Sequence, residues 1–314
     1  MRRFIRKNPY TFVFGLLSLF MFGVTILFIT QALTSEHMNY SLRMIGYGGT
    51  FNQRGMGTDR WPISPYWVMQ LLGIAGMSVL CTLRRKEVEI RVWQAVLTGV
   101  LLAVFGFIGA KLLYILENVE KVLDQGLDLG GVSFFGTVFF MPLVIPLIRR
   151  ILRIKSGDYT DFCTPAGLLM LAFIRIGCFL KGCCHGITIW VDGKPFIYPV
   201  QLIECMLDLA FLSFLLSERV RNRFRGYLYV LFMGGYGLIR LAMEFFRDTN
   251  KDRNLITDLT GWIFGEEKSF GPHISDGQMF SGLCILICVL ILLHRERRKK
   301  GNYTNITRIN VKMP

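Results

Sequence analysis

Long apolar runs recur eight times along this chain, and they constrain its fold more than any other feature. A helix of about 20 apolar residues matches the thickness of the bilayer core and satisfies its own backbone hydrogen bonds there. A hydrophobic content of 52% supports the same interpretation. We therefore predict an all-α, polytopic membrane protein with about eight transmembrane helices. The predicted spans are residues 10–32, 66–83, 92–116, 132–148, 162–180, 199–217, 226–246 and 278–293.

The basic residues between the runs predict the orientation of the chain. A net charge of +14 would favour nucleic acid as the partner of a soluble protein, but here the bases form short clusters between apolar runs. We therefore expect no nucleic-acid partner. The two termini and every second connecting segment carry 23 Lys and Arg, whereas the other four loops carry 10. Because positive charge stays on the cytoplasmic side, both termini are predicted to be cytoplasmic and the loop 181–198 to face outward.

Three regions are predicted along the chain. Residues 1–65 comprise a membrane anchor helix and an outward loop, because the first run follows a basic N-terminus like a signal sequence but is long enough to span the bilayer. Residues 66–293 form the membrane core, and residues 294–314 form a basic cytoplasmic tail. The long outward loop 247–277 is compatible with a small cap over the membrane site.

The segment 174–186 combines an arginine inside an apolar run with three thiols and one imidazole. A guanidinium at bilayer depth costs at least ~2.5 kcal/mol on insertion scales, so Arg175 indicates a functional site with a partner elsewhere. An arginine that only ties helices together is the structural alternative. The eight cysteines predict no disulfide framework, and the adjacent Cys183 and Cys184 lack the spacing of a zinc site, so no metal is expected.

Two later spans place charged residues on single helical faces. The members of each set are three or four residues apart, so each set shares one face of its helix. Two arginines that face one bundle interior supply forked donors suited to a phosphate. A structural ion-pair network that joins the fifth, sixth and seventh spans is the alternative. The sets are Gln201, Glu204 and Asp208 in the sixth span, and Tyr236, Arg240 and Glu244, followed by Arg247, in the seventh.

The third and fourth spans carry weaker signals. Lys111 is a further cation inside an apolar run, and the stretch 130–136, which is rich in glycine and contains Ser133, begins the fourth span. Glycines at a span entrance let the backbone approach a lipid headgroup, but they are equally typical of close helix packing.

The order of these motifs is more specific than any one of them. They are Gly-Ala-Lys-Leu-Leu-Tyr at 109–114, Gly-Gly-Val-Ser-Phe-Phe-Gly at 130–136, Arg175-Ile-Gly with Gly182 and Gly186, Tyr-Pro-Val-Gln-Leu-Ile-Glu at 198–204, the set from Tyr236 to Arg247, and Gly277-Gln278. In this order they resemble the prolipoprotein diacylglyceryl transferase family across about residues 66–293. Members of that family have seven spans, so the first apolar run is expected to be an additional helix.

The resemblance implies an enzyme of the bacterial cytoplasmic membrane that acts at its outer face. Such an enzyme transfers a diacylglyceryl group from phosphatidylglycerol, or here another anionic phospholipid, to the thiol of a lipobox cysteine on a prolipoprotein. No cofactor is expected. The residues then predicted to be catalytic are Arg175, His185, Glu204, Tyr236 and Arg240, and those predicted to bind substrate are Lys111, Arg175, Gly186, Gln201, Arg240, Glu244 and Arg247.

Three motifs depart from the family pattern. Where the family has Ser-Phe-His-Gly-Gly, with a histidine proposed as catalytic, this chain has Ser-Phe-Phe-Gly-Thr at 133–137. Where the family has Gly-Asn-Phe and then Asn-Gly-Glu, this chain has Gly-Cys-Phe at 177–179 and Lys-Gly-Cys at 181–183. The predicted phosphate-binding arginines are kept, whereas several polar residues of the family motifs are replaced.

The family reaction needs cations on the phosphate and a base for the thiol proton. Phe135 cannot be that base, so His185 and Glu204 are the candidates, and an ordinary imidazole titrates near neutral pH. A simply solvated loop histidine is the alternative. Three other functions stay open from the sequence: a diverged transferase with another acceptor, a thiol-redox or metal-handling membrane protein that uses His185 and its neighbouring cysteines, and a lipid or anion transporter.

Overall fold

Helices account for nearly all of the described structure. The structure is a computed structural model, and it describes residues 9–34, 51–52, 55–56, 65–119, 122–123, 126, 131–192, 194–247 and 274–310. The helices named here are α1 (Pro9–Thr34), α2 (Pro65–Arg84), α3 (Val92–Glu117), α4 (Phe134–Ile151), α5 (Tyr159–Lys181), α6 (Val200–Leu216), α7 (Glu218–Arg223), α8 (Leu228–Glu244) and α9 (Asp276–Asn310). A short 3₁₀ helix, Arg85–Glu87, follows α2. Antiparallel pairing joins β1 (Phe51–Asn52) to β2 (Gly55–Met56) and β3 (Thr188–Val191) to β4 (Lys194–Ile197).

Six of the described helices, α1 to α5 and α9, are long and apolar enough to cross a membrane. The structure therefore confirms an all-α, multi-pass membrane protein. Each of the eight predicted spans coincides with one helix. The helices α6 and α8 have 17 residues each, which is the lower limit of the usual spanning length.

The structure differs from the prediction in one region, and it does not describe most of a second one. The last predicted span, 278–293, is part of a longer helix, because α9 continues to Asn310 through most of the predicted basic tail. The cap predicted for the loop 247–277 falls mainly on residues 248–273, which lie outside the described residues.

The helix α5 lies at the centre of the bundle. It is the most buried of the six long helices, and it packs against α2, α6 and α8. The helix α6 also contacts α1 and α8, and α8 packs against α9. Most of the charged residues predicted to form the site, namely Arg175, Glu204, Arg240 and Glu244, therefore lie on three mutually contacting helices, α5, α6 and α8.

Close packing explains the glycines of the third and fourth spans. A Cβ on Gly136 would lie 2.1 Å from the carbonyl oxygen of Gly109, so the backbones of α3 and α4 approach too closely for any side chain there. The Thr137 hydroxyl donates a hydrogen bond to the Gly106 carbonyl at 2.7 Å, which fixes the same crossing. For Gly136 the structure thus supports helix packing rather than approach to a lipid headgroup.

A glycine ends α5 and turns the chain toward the loop that precedes β3. Gly182 has a φ of +75°, a left-handed conformation that glycine adopts without strain. Its N–H donates to the Phe179 carbonyl at 3.2 Å, and the N–H of Cys183 donates to the Cys178 carbonyl at 3.1 Å. This pair of bonds is the Schellman motif, which satisfies the last carbonyls of a helix. The short hairpin β3–β4 follows.

Candidate active site

Glu204 lies between two arginines in the interior of the bundle. Its Oε2 atom is 2.8 Å from Nε of Arg175 on α5, and its Oε1 atom is 3.1 Å from Nη1 of Arg240 on α8. Only 2% of the Glu204 surface is exposed. Because Gln201, Glu204 and Asp208 share one face of α6, Asp208 is buried close to this pair, and neither of its oxygens has a hydrogen-bond partner among the described residues.

Arg240 also pairs with Glu244 along its own helix. Its Nη2 atom is 2.9 Å from Oε2 of Glu244, one turn further along α8. The Ser275 hydroxyl donates a hydrogen bond to Oε1 of Glu244 at 2.8 Å, and both residues are buried. Ser275 is held in turn by Gln278, whose backbone N–H donates to its hydroxyl at 3.2 Å. The segment before α9 therefore positions Glu244.

Backbone contacts place Arg247 just beyond α8. Its backbone forms an isolated antiparallel bridge with Gly186, and the N–H of Ile187 donates to the Phe246 carbonyl at 2.9 Å. A Cβ on Gly186 would lie 2.4 Å from the carbonyl oxygen of Tyr198 and 2.8 Å from that of Phe246. Only glycine fits this crossing, so Gly186 contributes to the position of Arg247.

The guanidinium of Arg247 is buried but poorly paired. It lies 3.8 Å from the nearest oxygens of Glu204 and Glu244, and 9% of its side chain is exposed. Its Nε and Nη1 atoms have no hydrogen-bond partner among the described residues. Buried donors without acceptors are costly, so this arrangement favours an additional acceptor at the site.

A cavity of about 920 Å³ runs along these charged groups. Five of the predicted site residues line it: Arg175, Tyr236, Arg240, Glu244 and Arg247. Most of the remaining wall is apolar and comes from α2, α3, α4 and α5. The cavity thus offers apolar walls beside a cluster of cations. This arrangement is complementary to the acyl chains and the phosphate of a phospholipid.

An aromatic cluster occupies the position of the histidine in the family motif. Phe135 is buried, and its ring centroid lies 5.4 Å from that of Tyr236 and 5.5 Å from that of Phe280. The ring of Phe134 also meets Tyr236, at 5.1 Å between centroids. These rings form an apolar wall of the cavity beside the arginines.

Five predicted site residues are not among those that line this cavity, and one of them is Glu204, which lies behind the arginines. The Lys111 ammonium donates a hydrogen bond to the Gly131 carbonyl at 2.9 Å, and the Gln201 amide donates one to the Cys183 carbonyl at 2.8 Å. Nδ1 of His185 lies 3.2 Å from the Gly186 carbonyl. Lys111, Gln201 and Gly186 therefore hold backbone segments around the site, and His185 lies on the loop between α5 and β3.

Two residues outside the predicted catalytic and substrate-binding sets face the cavity as a pair. The Ser133 hydroxyl at the start of α4 donates a hydrogen bond to Oε1 of Glu117, the last residue of α3, at 2.7 Å. Both line the cavity. Glu117 directly follows the predicted third span, and an acid at the end of an apolar span was the available signal. Ser275 was not predicted either, because nothing in the sequence around it indicates a contact with Glu244.

Three cysteines converge on the same cavity. The Sγ atoms of Cys178, Cys183 and Cys184 all lie within 4.8 Å of one another, and all three residues line the cavity wall. Hydrogen bonds from the thiols of Cys178 and Cys183, and then the charge of Arg247, lower the pKa of the Cys184 thiol. The sequence motif predicted the cluster of cysteines but not this convergence.

Comparisons with known proteins agree with this architecture. A family model described as prolipoprotein diacylglyceryl transferase matches residues 57–294. A phosphatidylglycerol–prolipoprotein diacylglyceryl transferase of Clostridium tetani is 27% identical over 58% of this chain and 80% of its own length. Proteins of the same name from Dehalococcoides mccartyi and Coxiella burnetii are 25% and 30% identical, cover 75% and 69% of this chain, and are each matched over 90% of their own length.

Proposed function

Because the chain belongs to the prolipoprotein diacylglyceryl transferase family, we propose that it transfers a diacylglyceryl group from phosphatidylglycerol to the lipobox cysteine of a prolipoprotein. The relatives are named for this activity, and the buried charges of this chain fit the same substrate. The family assignment confirms the resemblance predicted from the order of the motifs.

The buried arginine cluster is the observation that carries the proposal. Among the described ion pairs of the site, three guanidinium groups meet two carboxylates, Glu204 and Glu244. The phosphodiester of phosphatidylglycerol carries one negative charge and offers acceptor oxygens that such guanidinium groups bind. Nε and Nη1 of Arg247 have no hydrogen-bond partner among the described residues and are the donors assigned to the phosphodiester.

The reaction needs this positive charge most in its transition state. The sulfur of the acceptor cysteine attacks the glycerol carbon that bears the phosphate, and a carbon–sulfur bond forms as the carbon–oxygen bond breaks. The electron pair leaves on glycerol phosphate, and the thiol proton passes to a base. Arg175, Arg240 and Arg247 stabilise the charge that grows on the departing phosphate. The apolar part of the cavity holds the acyl chains.

We assign the base to Glu117 rather than to Glu204 or His185. Glu204 is engaged by two arginines, at 2.8 and 3.1 Å, and a carboxylate held in this way is a weak base. Glu117 lines the cavity and accepts one hydrogen bond, from Ser133. A carboxylate within the cavity is a group that can accept the thiol proton.

The proposed setting is the bacterial cytoplasmic membrane, with both termini inside and the site open to the outer face. The asymmetry of the basic residues supports this orientation.

The helix α1 lies outside the matched residues and packs on α6, where the Ser18 hydroxyl donates to the Met206 carbonyl at 2.9 Å. We propose that residues 1–65 are an accessory anchor, that 66–293 are the catalytic core, and that 294–314 lie in the cytoplasm. A reporter fused after Pro314 should be active only in the cytoplasm, and activity outside would contradict this topology.

A direct assay tests the function. The purified chain, in detergent micelles that contain phosphatidylglycerol, is incubated with a synthetic lipobox peptide. We expect the peptide to gain the mass of one diacylglyceryl group and an equal amount of glycerol phosphate to be released. A peptide with serine in place of the lipobox cysteine should remain unmodified. Loss of phosphatidylglycerol without modification of the peptide would point to another acceptor and contradict the proposal.

A further inference from the structure

The three thiols of Cys178, Cys183 and Cys184 meet because of how α5 ends. In a Schellman motif the residue that follows the left-handed glycine packs over the residue in the last turn of the helix. Here those positions are Cys183 and Cys178, joined by an N–H to carbonyl bond of 3.1 Å. An ordinary motif of this kind has an apolar contact at these two positions. This one has two thiols.

The next residue adds the third thiol. Cys184 has a φ of +58°, a left-handed conformation that residues other than glycine and asparagine seldom adopt. The Gln201 amide, which is buried, donates a hydrogen bond to the Cys183 carbonyl at 2.8 Å and holds the turn. The chain thus maintains an unfavourable backbone conformation at a residue whose sulfur joins the other two.

The distances fit a metal ion. All three Sγ atoms lie within 4.8 Å of one another. Sulfur atoms bound to one zinc ion at about 2.3 Å are roughly 3.8–4.0 Å apart, so a shift of less than about 1 Å in the side chains closes the site. Cys184 is exposed, which gives an ion access from the cavity side.

The chemistry of the ligands selects the class of ion. Three sulfur ligands favour soft, thiophilic ions such as Cu⁺, Zn²⁺ or Cd²⁺ over Mg²⁺ and Ca²⁺, which prefer oxygen. Three thiolates around a monovalent or divalent cation form an anionic complex. Arg175 and Arg247 line the same cavity, so the net charge of the complex is attracted to them rather than repelled.

We propose that Cys178, Cys183 and Cys184 bind one thiophilic metal ion on the wall of the cavity, next to the arginines. An anionic metal–thiolate complex at this place competes with a lipid phosphate for Arg175 and Arg247. The ion therefore inhibits the transferase, and this consequence, unlike the metal site, rests on the proposed function.

Metal binding is measured first, on the full chain in detergent without phospholipid, so that the result does not depend on transfer activity. The reduced, chelator-treated protein is titrated with Cd²⁺, and cadmium–thiolate absorption is recorded. We expect one ion per chain. Cys183→Ala and Cys184→Asn should each weaken binding by more than roughly 100-fold, since loss of an outer-shell partner alone costs 10–100-fold.

The substitutions are chosen to keep the fold. Asparagine tolerates the left-handed backbone of residue 184, and alanine at 183 leaves the backbone carbonyl that binds Gln201. Cys288→Ala, which removes a buried thiol on α9, is the matched control and should bind like the wild type. Wild type without cadmium–thiolate absorption, variants that bind as the wild type does, or a disulfide among the three cysteines in protein isolated with blocked thiols would each overturn the site.

The inhibition is measured separately. With phosphatidylglycerol and lipobox peptide, Cd²⁺ or Zn²⁺ should lower turnover by at least about tenfold in the wild type and in Cys288→Ala, but not in Cys184→Asn. Stoichiometric binding without inhibition would overturn the competition and leave the metal site standing. Absence of transfer in metal-free protein would overturn the proposed function alone.

Discussion

Nε of Arg175 lies 2.8 Å from Oε2 of Glu204, and both groups are buried on the neighbouring helices α5 and α6. The same carboxylate is also 3.1 Å from Arg240 on α8. One acid thus neutralises charge from two other helices. A buried ion pair of this kind adds little over an apolar core, but removal of one partner leaves uncompensated charge.

Glu204→Gln should therefore destabilise the bundle strongly. The substitution keeps the shape of the side chain but removes the charge that pairs with Arg175 and Arg240, and we expect a loss of ~3–5 kcal/mol in the free energy of unfolding. Denaturant unfolding in detergent measures it. Asp158→Asn is the control, because Asp158 pairs with Arg225 at an exposed site and should cost within ~1 kcal/mol. Equal effects of the two substitutions would contradict the role of burial.

The positions of the helices could be predicted from the sequence because hydropathy and basic clusters are local signals. Arg175, Arg240 and Arg247 were found in the same way, since a cation in or beside an apolar run is conspicuous. The order of the motifs then indicated the family.

Contacts between distant segments could not be predicted. The pairing of Glu117 with Ser133, and of Ser275 with Glu244, depends on how α3, α4, α8 and α9 pack, and no residue pattern encodes it. His185 was predicted as the base because Phe135 cannot act as one and an ordinary imidazole titrates near neutral pH, whereas Glu117, and not His185, is among the residues that line the cavity.

Gly186→Ala should reduce transfer without affecting insertion in the membrane. The added Cβ meets the carbonyl oxygens of Tyr198 and Phe246 at 2.4 and 2.8 Å, so the segment after α8 that carries Arg247 must move. A displacement of about 1 Å at a substrate-binding group can cost roughly 100-fold in rate. We expect that loss in kcat/KM for phosphatidylglycerol. Gly282→Ala, where nothing lies within 4 Å of the new Cβ, should leave turnover unchanged. Full activity of Gly186→Ala would show that the bridge does not position Arg247.

Arg247→Lys separates a phosphate ligand from a structural cation. Lysine keeps the positive charge but loses the forked donors, and in the described residues Nε and Nη1 make no hydrogen bond that a lysine would break. We therefore expect kcat/KM for phosphatidylglycerol to fall by about 10²-fold, while unfolding in detergent is unchanged. Arg225→Lys, at the exposed pair with Asp158, should alter neither quantity. Wild-type transfer by Arg247→Lys would refute the assignment of this side chain to the phosphate.

Glu117→Gln tests the base. The amide keeps the size of the side chain and can still accept the hydrogen bond from Ser133, but it cannot take the thiol proton. We expect the rate of peptide modification to fall by roughly 10²–10⁴-fold, with little change in the KM for phosphatidylglycerol. Ser133→Ala, which removes only the hydrogen bond, should have a smaller effect, and His185→Gln should retain near-normal turnover. The opposite ranking, with His185→Gln inactive and Glu117→Gln active, would transfer the role to the imidazole. A peptide whose acceptor thiol is already ionised at the assay pH should recover activity in Glu117→Gln, because it needs no base.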